Sequence, residues 1–172
     1  TWSDPYEVPL GGNVHAMSNG VSGLFVVGGK RGGAARALML GHDEVCRVMN
    51  QKLRKRPPLL VAAAGVSKDC WAAGQDCILR LDSDVIEIEP AQEFGIPVAM
   101  ALDLVGIPWM ITKNKIIRRH GGGSSTEWLV YHERPADQPH FVAIGFTFEG
   151  AHVLDAHGNT TTLVPHDIHL FA

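Results

Sequence analysis

Three cysteines and nine histidines give this chain its most reactive side chains. A thiol becomes a nucleophile as the thiolate, with a base in hydrogen-bond reach and an acceptor to orient that base. Cys70 opens the apolar part of KDCWAAGQDCILRL, residues 68–81. The spacing of Trp71, Ile78 and Leu81 predicts a helix from 70 to about 81. At the start of that helix, the field of the aligned peptides would favour a thiolate. Cys77 falls seven residues on, on roughly the same helical face, and reads as core. His42 and Cys46 stand four apart, but two ligands do not make a metal site.

The base is sought among the histidines. His15 and His42 lie early in the chain, His166 and His169 in its tail, and His120 beside a glycine run. His140 differs: it follows the polar turn RPADQP and begins the apolar strand FVAIGF. Asp155 ends the next strand, AHVLD. Two antiparallel strands joined at FEG would set the start of one beside the end of the other. His140 and Asp155 then become neighbours, and the carboxylate can hold the ring's tautomer. His152 and His157 are rivals on the same hairpin. The competing reading of Asp155 is a turn-initiating residue before AHGN.

The elements that must carry these groups change character along the chain. GLFVVGG (23–29) reads as a strand or docked loop. HDEVCRVMNQKLRKR (42–56) spaces Val45, Met49 and Leu53 on one helical face, and Pro57–Pro58 stops it. The Pro pair is the best internal boundary, dividing an arm, 1–58, from a domain, 59–172. SDVIEIEP (83–90) is a strand or extended link, and 91–106 holds a helix closed by Gly106. From 107 on, the pattern alternates with period two. Strands are expected at 107–112, 115–119, 126–133, 140–150, 151–158 and 160–165. HGGGSS (120–125) is a connection without a phosphate loop's Lys-Ser/Thr ending. No internal repeat is visible. Helices followed by antiparallel strands give an α+β class.

Composition narrows the setting. The formal charge is −3, with 15 basic and 18 acidic residues, so nothing demands a nucleic-acid partner or an anionic membrane. An odd number of cysteines argues against a disulfide framework and for a reducing, cytoplasmic compartment. No apolar run approaches the roughly 20 residues that span a bilayer. No signal peptide is evident at TWSDPYEVPL, and beginning at Thr1 the chain reads as a processed or partial piece.

DCWAAG resembles the nucleophile-helix start of papain-like cysteine peptidases, and HFVAIGFTFEGAHVLDAHG resembles their His strand and the strand after it. The compact spacing resembles viral leader and accessory proteases, over roughly residues 60–165. The resemblance implies a compact papain-like α+β fold, with the Cys70 helix packed on a C-terminal antiparallel sheet. It implies Cys70 as nucleophile, His140 as general base and acid, and Asp155 as orienter, with no cofactor and no metal. The substrate would be a peptide or polyprotein, including this chain's own C-terminus. The family's Gln or Asn upstream of the Cys is replaced here by Ala63, Ala64 and Gly65. The second oxyanion donor stays open among Ser67, Lys68 and other amides. The same triad would serve a deubiquitinase or deamidase, and a scaffold of this kind could also be a non-catalytic binding module.

Overall fold

A computed structural model describes residues 12–30, 34–42, 46–48, 53, 55–65, 69–81, 85–120 and 127–164. The described chain is all β: fifteen strands in four antiparallel sheets. The first sheet runs β1 (Asn13–Gly20), β2 (Gly23–Gly29), β3 (Ala35–Leu40), β4 (Cys46–Val48). The second runs β5 (Leu59–Ala64), β6 (Cys70–Gly74), β7 (Cys77–Leu81), β8 (Val85–Pro90). The third runs β9 (Ala99–Leu102), β10 (Pro108–Ile111), β11 (Lys115–Arg119), β12 (Trp128–Glu133). The fourth holds β13 (Phe141–Thr147), β14 (Gly150–Asp155) and β15 (Thr160–Leu163). Each sheet is a meander in chain order, and Pro57–Pro58 falls between the first two.

The sheets pack face to face in sequence. β1 lies against β5, β5 against β9, and β9 against β13. No comparable contact joins the first sheet to the fourth among the described residues. Three apolar layers fill the spaces between. Phe25, Val27, Cys70, Ala72 and Leu79 form the layer between the first and second sheets. Val61, Trp71, Ala73, Ile78, Met110 and Trp128 form the next. Trp109, Ile111, Ile116, Phe141 and Val153 form the third. Polar bonds tie the first junction: His15 donates from Nδ1 to the Leu59 carbonyl at 2.8 Å, and the Ala64 N–H reaches Ser18 Oγ at 2.9 Å.

The α+β papain-like expectation is therefore corrected: the helices are absent from the described residues. Where a helix is expected at 70–81, two strands stand, paired Cys70↔Leu81, Trp71↔Arg80, Ala72↔Leu79 and Ala73↔Ile78. The reason is burial on both faces. β6 is buried at every position, because Cys70 and Ala72 face one layer while Trp71 and Ala73 face the other. A strand covered on both sides loses its alternation and reads as a continuous apolar run, which imitates a buried helix. The helix expected in 91–106 is a turn at 92–94 followed by β9 and a tight turn. Gly106 does take a left-handed conformation (φ 85°), but in a hairpin, where its N–H bonds the Asp103 carbonyl at 2.9 Å. The helical arm is replaced by the first sheet; of the expected helix 42–56, residues 46–48 are strand and much of the rest lies outside the described residues.

Candidate functional site

Asp155 and His140 meet as the hairpin arithmetic requires. Phe141 pairs with Asp155 in register, and the Ala156 N–H bonds the His140 carbonyl at 2.9 Å. The carboxylate, however, serves other donors. Its Oδ1 accepts from the backbone N–H of His157 (2.9 Å) and Asn159 (3.0 Å). Its Oδ2 accepts from Arg134 Nη1 (3.3 Å) and Asn159 Nδ2 (3.3 Å). Burial opposes its ionisation, but the Asn159 and His157 amides, the Asn159 side chain and Arg134 outweigh it and hold the carboxyl below its usual range. The ring of His140, which is exposed, is not among its partners.

Cys70 lies elsewhere. It is 2% exposed, in the layer between the first and second sheets. His140 precedes the first strand of the fourth sheet. Cys70 belongs to the second sheet and faces away from the third, so the third sheet stands between the thiol and the imidazole. The structure thus brings His140 to Asp155 and does not bring Cys70 to either. Asp69, before the cysteine, is held by Arg80, which donates from Nε (3.0 Å) and Nη2 (2.6 Å). Ser67, Lys68 and the C-terminal residues 165–172 lie outside the described residues. Cys77 is fully buried, and burial with a bond to Asp76 pushes its thiol up to about 12. Among the described residues no cluster of three or more His, Cys, Asp or Glu could hold a metal ion. No helix among them is long and apolar enough to cross a membrane.

Concave sites occur at the rim where the second and third sheets meet. One groove, about 390 Å³, is bounded by Glu89 and Pro90 at the end of β8, Glu93 and Phe94 in the following turn, and Glu127, Trp128 and Leu129 at the start of β12. Phe94 and Trp128 are 7% and 9% exposed. Both belong to the apolar layer, so the groove's aromatic groups are fixed by packing. Trp128 meets Trp71 edge-on at 5.8 Å, and the Arg119 guanidinium lies 4.7 Å from the Trp71 ring centre. Arg119 also pairs with Glu89, at 3.5 Å. Lys115 donates to the Glu93 main-chain carbonyl at 3.3 Å. The indole N–H of Trp128 is buried and has no acceptor among the described residues. A smaller cavity, about 110 Å³, lies nearby against Trp71, Arg80 and Arg119.

These groove residues escape a search for nucleophiles and bases. One signal was available: EF at 93–94 and EW at 127–128 each set a carboxylate directly before an aromatic ring. In each pair the ring is buried and the acid is exposed. No protein-family model matches this sequence, and no curated protein matches it either.

Proposed function

We propose that this chain is a non-catalytic interaction module. Its meander sheets, stacked through their first strands, resemble the blades of β-propellers, and partners would bind in clefts at the junctions between sheets. The observation that carries this reading is the placement of Cys70 on the face of the second sheet turned toward the first, with the third sheet between it and His140. A peptidase needs that thiol and that imidazole in contact, and so does a deubiquitinase or deamidase. Stacked sheets, by contrast, offer a rigid frame with clefts lined by residues from two sheets at once.

Thiol chemistry tests the proposal. Native protein at neutral pH is treated with iodoacetamide and the modified cysteines are mapped by mass spectrometry. Cys70 and Cys77 are expected to react only on unfolding, at rates indifferent to His140→Ala. Rapid labelling of native Cys70, slowed by that substitution, overturns the reading.

A further inference from the structure

We infer that the groove between β8 and β12 binds a basic peptide, a segment presenting lysine or arginine side chains. The inference rests on the interaction-module reading and supplies its partner. Three observations converge. The first is charge. Of the three carboxylates at the groove, Glu89 is paired with Arg119, whereas Glu93 and Glu127 are exposed and have no ion pair among the described residues. Lys115 sits against the Glu93 main chain and leaves both of those carboxylates open. An anionic ligand would meet repulsion here, and a cation would meet two acceptors.

The second observation is the aromatic pair. Phe94 and Trp128 line the same groove and are held by the layer behind them. An aromatic surface suits the methylene stem of a lysine or the plane of a guanidinium, whose charged end reaches the carboxylates at the rim.

The third observation selects a peptide over a simple amine. Trp128 is 9% exposed, lines the groove, and carries an N–H that finds no acceptor among the described residues. A buried donor without a partner is costly, and a small turn of the ring on binding would bring the N–H to a backbone carbonyl of the ligand. β12 is also the outer strand of its sheet. Its outer side, unpaired with any other strand among the described residues, can add hydrogen bonds to an extended chain, as in recognition by strand addition.

The test uses the full chain and a fluorescein-labelled alternating Ala–Lys peptide, read by anisotropy, with an alternating Ala–Gln peptide as comparison. The lysine peptide is expected to bind and the glutamine peptide not. The double variant Glu93→Gln/Glu127→Gln should weaken binding about tenfold or more, since it removes two charge-assisted bonds. Trp128→Phe keeps a ring, removes the N–H, and should weaken binding roughly fivefold. Asp137→Asn/Glu149→Gln removes the same charge from exposed sites outside the groove and should change nothing. Equal losses in the two double variants, or equal affinity for both peptides, overturn the proposal. No binding at all, with Cys70 still inert to iodoacetamide, overturns the groove and leaves the module standing. Rapid Cys70 labelling overturns the module itself.

Discussion

Two turns in different sheets are built alike, one after β9 and one after β14. In each an aspartate stands at the end of a strand, just after β9 or as the last residue of β14, and a glycine follows three residues later: Asp103-Leu104-Val105-Gly106 and Asp155-Ala156-His157-Gly158. In each the glycine is left-handed, with φ 85° and 84°. In each, Oδ1 accepts two backbone N–H groups, those of Val105 and Ile107 in one and of His157 and Asn159 in the other. An arginine balances each carboxylate and lies over an aromatic ring, Arg118 on Trp109 and Arg134 on Phe141. They differ at Oδ2. Asp103 takes the Trp109 N–H at 3.1 Å, with Arg118 at 3.9 Å. Asp155 takes Arg134 and the Asn159 amide. The likeness identifies the work of Asp155. It ties a turn to the layer beneath, as Asp103 does where no histidine stands nearby in sequence.

The comparison can be broken by substitution. Asp103→Ala should do the most damage, because it removes the acceptor of the buried Trp109 N–H and a counter-charge to Arg118 in a site where both charged side chains are under 10% exposed. Breaking such a pair costs about 3–5 kcal/mol, which urea unfolding would register. A loss below about 1 kcal/mol would show that water replaces the carboxylate at little cost.

Asp155 sharpens the contrast through pH. Its folded pKa lies below the unfolded value, so its stabilisation is complete above the unfolded value, about 3.9. It fades as pH falls through the lower folded value. Thermal melts should show that acid-side loss in wild type and a shallower one in Asp155→Asn. Identical profiles would mean that Asp155 is not the group being titrated.

Smaller effects probe the glycines. Neither Gly106 nor Gly158 has an atom within 4 Å of where a Cβ would sit, so Ala substitution costs only the left-handed backbone. That is about 1–2 kcal/mol at each, and the two values should agree, since the φ angles do. The smallest effect expected is that of His140→Ala, within about 0.5 kcal/mol of wild type by the same urea measurement. A larger loss would mean the ring has a structural partner.

How far the sequence disclosed this arrangement depended on exposure. The strands β12, β13 and β15 were legible because they leave positions open to water, whereas β10 and β11 are buried at nearly every position and showed only as short apolar runs between turns. β13 alternates after Phe141, and β15 reads exposed, intermediate, exposed, intermediate. The hairpin that joins His140 to Asp155 followed from that alternation. In the first two sheets β2, β6 and β7 gave no such pattern, since they are buried at nearly every position. Trp71, Ile78 and Leu81 therefore looked like one face of a helix, although Trp71 and Ile78 point into one layer and Leu81 into the other. The repeated turn was also hidden. DLVG and DAHG share only their first and last letters, and they fall after the first strand of one meander and the second strand of another. The groove was missed for a different reason: its acids and rings come from segments more than thirty positions apart, brought together only by the stacking of two sheets.

The three apolar layers have a consequence for cooperativity. Each sheet owes its burial to the neighbours before and after it, so the folding energy is close to a sum of adjacent couplings along a line. The sheets in the middle are clamped from both sides. The first sheet is also buried on its other face, where Val26 and Leu38 form a further cluster, and the latch formed by His15 and Leu59 adds to its hold on the second. The fourth sheet leaves Val142 and Leu154 exposed on its far face. Loss of order would then begin at the fourth sheet and travel inward, one sheet at a time, reaching the strand that holds Cys70 and Trp71 late.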